Sequence, residues 1–270
     1  MKLFITPLVI LMVFVCTVVY AQDFCIGART RSLGNAGVAD TSAWSILNNP
    51  AGMSHIKDFH AIICNEYLYG INQIKSFAAG IIFPLKKSYI LGFHANKQGY
   101  EWFNDQQIGL HIAHTIRLYS LSASFIVWQR VAGEHFREIY PIVNIGGTMS
   151  VNKFIQLGLH IFNISNTQHS SADIPLEVKA GMHYKISRQI HFYGDLVKLS
   201  TQSINLRTGL EYHIHTHFYI RCGVMLNPMR MNGGLGFSNK RMSIDYSVAW
   251  QNPLGYRHQI ALQIQIKKRI

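Results

Sequence analysis

The chain has 270 residues, 49% of them hydrophobic, and 25 Lys and Arg against 13 Asp and Glu give it a net charge of +12. The basic residues are scattered through turns and strand ends with no clustered patch, which excludes a nucleic-acid partner and suits contact with anionic lipid head groups. Three cysteines remain once an export signal is removed, and an odd number describes no disulfide framework.

The chain opens with Lys2, an apolar run from Leu3 to Val19, and Val19-Tyr20-Ala21 ahead of Gln22. This pattern predicts a secretory signal peptide over residues 1–21. The run is too short and its flank too small-residue-rich for the competing reading, a membrane anchor. Cys16 has no lipobox before it. A Cys25–Cys64 bridge and buried free thiols are both open for the cysteines that remain.

Residues 22–56 read as an N-terminal plug. Gly34, Ala36, Gly37, Ala39, Ala43, Ala51 and Gly52 let a backbone lie close against surrounding walls. Asp40, Thr41 and Ser42 are placed to start a short helix over Ala43–Leu47, and Asn48, Asn49, Pro50, Ala51 and Gly52 form the expected plug hinge. The stretch GARTRSLGNAGVADTSAWSILNNPAGMS, residues 27–54, resembles the N-terminal signature of the FadL-like outer-membrane barrels, in particular their PorV/PorQ-like branch in Bacteroidetes. SIDYSVAWQNPLGYRHQIALQIQI, residues 243–266, is similar to the closing strands of that branch. The resemblance covers the two ends of the mature chain.

From residue 57 to 270 the hydrophobicity comes in short alternating pieces. Ile155, Leu157, Leu159 and Ile161 point one way and Gln156, Gly158 and His160 the other. Ile260, Leu262, Ile264 and Ile266 repeat the pattern against Gln259, Gln263 and Gln265. Turn signals divide the stretch into about fourteen segments of bilayer-crossing length. The fold class predicted is therefore all-β, a transmembrane antiparallel β-barrel with the N-terminal plug in its lumen. Short turns are expected near 84–87, 117, 152–153, 187–188, 215–216 and 239–240, and longer outer loops at 96–105, 129–138 and 163–173. A soluble sandwich would alternate in the same way, but the outward apolar positions are too many for one small core.

The polar parity places Glu177, Lys179, His183, Lys185, Asp195, Arg207, Glu211, Arg221 and Asp245 in the lumen, because a charge facing hydrocarbon is costly. Mixed signs suit ion pairs that hold strands and plug together. His111, His160, His183 and His191 read as lumen-facing hydrogen-bond partners. His213, His215 and His217 share a parity, but a turn interrupts them and no Cys or carboxylate completes a tetrahedral set, so no metal or other cofactor is expected. Trp44, Trp102, Trp128 and Trp250 suit interfacial girdles. Trp102, Phe103, His135 and Phe136 in the outer loops are the candidates for contact with a ligand or partner.

The family resemblance implies two functions. One is an accessory or docking barrel of the type IX secretion system, whose loops bind secretion subunits or cargo. The other is a FadL-like conduit that passes a small hydrophobic, lipid-like molecule by the plug. A PorV-like relation also implies a link to lipid A deacylation, but no GxSxG elbow occurs, so the protein reads as a non-enzyme. Outer-membrane lipid and a monomeric barrel complete the expectation.

Overall fold

The computed structural model describes residues 24, 26–85, 88–134, 136–165 and 174–267, so the expected signal peptide over 1–21, Cys25 and His135 lie outside the described residues. Fourteen strands form one closed barrel in which each pairs with its neighbours in the chain. They are β1 (Phe59–Leu68), β2 (Lys75–Pro84), β3 (Tyr89–Gly99), β4 (Phe103–Ile116), β5 (Tyr119–Ala132), β6 (Phe136–Ser150) and β7 (Ile155–Phe162). The second half continues with β8 (Glu177–Lys185), β9 (Ile190–Leu199), β10 (Asn205–His213), β11 (Phe218–Met225), β12 (Arg230–Ser238), β13 (Met242–Gln251) and β14 (Gly255–Ile266). All ladders are antiparallel, and β1 closes on β14 from Phe59↔Ile266 to Leu68↔Arg257. Closure leaves no strand edge with unpaired N–H and C=O groups. Among the described residues no helix is long and apolar enough to cross a membrane.

Alternation decides which side of the wall each residue faces. On β7 Leu159 is 49% exposed while its neighbour His160 is 4% exposed. The outward row carries Ile108, Leu110 and Ile112 on β4, Leu121 and Phe125 on β5, and Ile244 and Tyr246 on β13, all exposed. A continuous apolar exterior of this kind is what hydrocarbon requires of a spanning barrel. Cys222 sits on it as an exposed free thiol, not a buried one. Cys64 faces inward and is disulfide-bonded. The pairing expected with Cys25 lies outside the described residues.

The six short connections fall at 85–88, 117–118, 151–154, 186–189, 214–217 and 239–241, at the end where β1 begins. This is the turn end. At the opposite loop end the expectation of long loops needs correction: only residues 100–102 separate β3 from β4, and only 133–135 separate β5 from β6. The polar residues read as loop are ladder instead, with Gln98 opposite Asp105 and Arg130 opposite both Asp105 and Glu138. Polar residues at a strand end look like loop in sequence. The connection 163–176 is long, as expected, and beside it β7 and β8 are short. The β6–β7 ladder runs only from Ile145↔Ile161 to Ser150↔Gln156, so the outer half of β6 extends past its neighbour.

Ahead of β1, helix α1 (Ala28–Ser32) and two 3-10 turns, Ala43–Leu47 and Pro50–His55, are packed inside the ring. The α1 helix contacts β11 to β14, and the turn over Pro50–His55 contacts β3 to β6. The Ser42 side chain caps the first 3-10 turn by accepting from Trp44 N. Two of the four tryptophans expected in girdles are interior: Trp44 belongs to this segment, and Trp128 lies on the inward row of β5, only 2% exposed. Trp102 and Trp250 are exposed.

The exterior row yields a direct test. Replacing Leu110, in the middle of the β4 outward row, by Arg should destabilise the barrel in lipid by about 2–4 kcal/mol. Urea titration of protein folded into phospholipid vesicles measures it, against a Leu110→Ile reference.

Candidate functional site

The interior is built on close approach. Every one of the seven small residues Gly34, Ala36, Gly37, Ala39, Ala43, Ala51 and Gly52 is buried, and the wall answers with its own glycines. A Cβ at Gly158 of β7 would collide with the Val38 carbonyl, and one at Gly223 of β11 with the backbone of Leu33 and Gly34. Asn49 fastens this contact: its Nδ2 donates to Val38 O (2.8 Å), Gly147 O (3.1 Å) and Leu159 O (3.3 Å). Asp195 on β9 accepts from the amides of Gly37 (2.7 Å) and Val38 (3.0 Å). The segment is thus hydrogen-bonded to β6 and β7 through the Asn49 side chain and to β9 through its own amides, which satisfies polar groups that burial would otherwise strand.

Two arginines of α1 reach different sectors of the wall. Arg29 bonds Asp40 of its own segment (2.7 Å), Glu211 on β10 (3.1 Å) and the Tyr193 hydroxyl on β9 (2.7 Å). Glu211 also accepts from Arg221 (2.6 Å), which reaches on to Asp245 (2.6 Å). Arg31, two residues along, bonds Glu66 on β1 (3.0 Å), and the other oxygen of Glu66 accepts from Arg257 on β14 (2.9 Å). Burial pushes the Asp40 carboxyl up, but the Arg29 guanidinium and the Ser42 hydroxyl outweigh it and hold the group below the usual carboxylate range.

Apolar contacts divide the rest of the lumen. Toward the turn end Trp44, Ile46 and Met53 pack on inward Ile62, Ala78, Ile82, Ile90 and Ala113 of β1 to β4. A purely polar lumen, as alternation alone suggests, is therefore corrected: β2 is apolar on both faces because its inner face meets this segment. Toward the loop end Ile126, Trp128, Tyr140, Ile142 and Ile174 form a second cluster, against which Phe24 and Phe162 pack. The Phe24 ring meets Trp128 edge-on at 5.1 Å between centroids. Between the segment and the turn end lie two cavities of about 450 and 400 Å³. The larger is bordered by Thr41, His55, His183, Lys153 and Lys185. Burial, then Lys185, lowers the His55 imidazole below its usual value.

The residues singled out by sequence take these places. Asn48 and Asn49 bond within the segment and to the wall, and Pro50, Ala51 and Gly52 start the second 3-10 turn, all of it held in contact with the wall. Glu211, Arg221 and Asp245 join one buried network, while Glu177 and Lys179 pair with each other at 2.6 Å, partly exposed. Arg207 lies directly across from Asp195. His111 bonds His94 (2.6 Å) and Ser124 (2.7 Å), and His183 approaches His191 (3.4 Å). His160 is buried, and among the described residues neither ring nitrogen has a hydrogen-bond partner. His215 and His217 sit in an exposed turn, bonded to Thr216. Trp102, Phe103 and Phe136 are exposed at the loop end, and His135 lies outside the described residues. Sequence reasoning missed Arg29, Arg31 and Glu66. The signal was there: two arginines stand alone in a run of small residues, and Glu66 shares the inward parity of His60 and Cys64.

No protein-family model matches the chain, and no curated protein matches it. Its fold is shared with solved barrels. The monoaromatic hydrocarbon channel CymD superposes with a TM-score of 0.66 at 13% identity, covering 91% of this chain and 100% of that one. A FadL homologue from Pseudomonas aeruginosa gives 0.66 at 10% identity, covering 89% of this chain and 98% of that one. The toluene transporter TodX of Pseudomonas putida gives 0.67 at 9% identity, covering 90% and 99%. The likeness is one of fold, a FadL-like barrel.

Two outcomes follow for the ion pairs. Glu66→Ala removes the shared acceptor of two buried guanidiniums and should cost about 3–5 kcal/mol, read as a lower urea midpoint, whereas Glu177→Ala should change it little. The depressed Asp40 value makes its contribution fully present above the unfolded carboxylate pKa of about 3.9 and lost as pH falls below that, through the folded value. Hydrogen exchange of residues 37–47 should therefore accelerate only below about pH 4, and Asp40→Asn should flatten that step.

Proposed function

We propose that this chain is an outer-membrane channel for a small apolar molecule, with residues 22–56 as a plug that must shift for passage. In that setting the turn end faces the periplasm and the loop end faces outward, the usual arrangement of such barrels. The single observation that carries the reading is the loop-end cluster. Inside a wall otherwise rich in His, Asn, Ser and charged groups, Trp128, Tyr140, Ile142, Ile126 and Phe162 gather around a phenyl ring, that of Phe24. A site that seats one aromatic ring of the chain has the shape and polarity to seat a free one. The names of the barrels sharing this fold, a toluene transporter and a monoaromatic hydrocarbon channel, support the same substrate class.

The route this implies starts at the loop end, where a ligand displaces Phe24. The lumen beyond is filled by the plug, so onward movement requires the hinge 48–52 to yield or the wall to part. A docking role in type IX secretion has less support, since apart from 163–176 the loop-end connections give a large cargo little to hold.

Uptake of labelled toluene by a Gram-negative host lacking its own hydrocarbon channels tests the proposal. Expression of the chain should raise the initial rate severalfold, and Phe24→Ala should raise it further or leave it high while Trp128→Ala lowers it. Uptake equal to the empty vector sinks the channel reading. In the native host, secreted proteins that keep uncleaved C-terminal sorting signals after deletion of the gene would point to docking instead.

A further inference from the structure

The histidines that stand together in sequence do not stand together in space. His215 and His217 stack on each other in the exposed turn, ring centroids 5.9 Å apart. His213 turns inward to other partners. His191 of β9 lies directly across from Glu211 of β10, and His213 follows Glu211 by two residues on the same face. One ligand atom from each of the three lies within 4.8 Å of the other two. Nε2 of His213 is 3.2 Å, and Nδ1 of His191 3.8 Å, from one Glu211 carboxylate oxygen, Oε1.

We infer that His191, Glu211 and His213 form a divalent-cation site on the inner wall near the turn end, best matched by zinc. Two imidazole nitrogens and a carboxylate oxygen are a donor set zinc takes, and bonds of about 2.0–2.1 Å in a tetrahedron hold such donors roughly 3–4 Å apart; each imidazole stands at that distance from the carboxylate oxygen, and the two imidazoles lie within 4.8 Å of each other. The local charge agrees. Glu211, Asp40 and Asp245 are three carboxylates, and the guanidiniums bonded to them, Arg29 and Arg221, are two. One negative charge is left over among the buried groups. The other cation facing His191 is Lys185, its cross-strand partner, which is exposed.

The surroundings also orient the donors. Arg221 (2.6 Å) and Arg29 (3.1 Å) bond Oε2 of Glu211, which turns Oε1 toward the two imidazoles. Arg29 Nη2 touches Oε1 as well, at 3.2 Å, so a cation drawn onto that oxygen competes with one contact of the N-terminal segment. The side chains of His191 and His213 are 14% and 27% exposed, enough for a cation to arrive from the turn end. His183, which borders the larger cavity, brings a third imidazole to 3.4 Å from His191.

The test uses the full barrel in detergent, purified without a polyhistidine tag and titrated with zinc chloride in a calorimeter. One equivalent should bind, and His191→Ala and His213→Ala should each weaken binding at least about tenfold, with the His215→Ala/His217→Ala double variant unchanged. Heat-modifiable migration on gels verifies that each variant is folded. Zinc-edge absorption of the wild-type protein supplies an independent readout and should show at least two imidazoles with a carboxylate. The inference is overturned by no binding to the wild type, by wild-type affinity in both single variants, by loss in the turn variant, or by a first shell lacking imidazole.

Discussion

A wall whose outer face is apolar cannot leave backbone N–H and C=O groups unpaired, and this constraint organises the rest of the molecule. It requires a closed ladder, and an even number of strands lets β14 return antiparallel to β1. Closure fixes the alternation, since each residue must then face either outward or into the ring. The inward face in turn has no water-rich bulk to meet over most of its area, and it needs partners. The N-terminal segment provides them.

That segment is fitted by two kinds of contact with different tolerances. Glycines such as Gly158 and Gly223 allow backbone to lie on backbone, a purely steric match. Charges do the rest: Arg29 and Arg31 leave the same short helix and engage carboxylates on different strands, Glu211 of β10 and Glu66 of β1. Buried ion pairs of this sort contribute less to net stability than to choosing one arrangement over others, because removing a partner is far more costly than replacing the pair by apolar groups. A segment held by ion pairs and amide contacts can be specific without being tightly glued.

Much of the barrel was legible because alternation is a local signal. The strand count, all six short turns and the outward rows of β7, β13 and β14 can be read residue by residue. What could not be read depended on neighbours distant in sequence. Whether Lys97 and Gln106 are loop or ladder is decided by strand pairing across the β3–β4 hairpin, and whether inward Ile82 and Ile90 are anomalous is decided by Trp44, Ile46 and Met53 arriving from the segment. The histidines make the same point: shared parity suggested His213, His215 and His217, while cross-strand register brings His191 and Glu211 to His213. The small residues of the segment foretold close contact, but nothing local showed which charges would meet Arg29 and Arg31.

The Glu66 carboxylate has a consequence for assembly. It sits on the first strand, bonds Arg31 from within and Arg257 on the last strand beside it, so a single residue joins the segment to both sides of the seam where the ring shuts. Had β1 and β14 zipped together first, α1 would need to thread an already complete hoop to find its place. The wall is more simply drawn shut around the segment as a sleeve around a mandrel. One clasp, fastened from the inside, then holds both the seam and the segment.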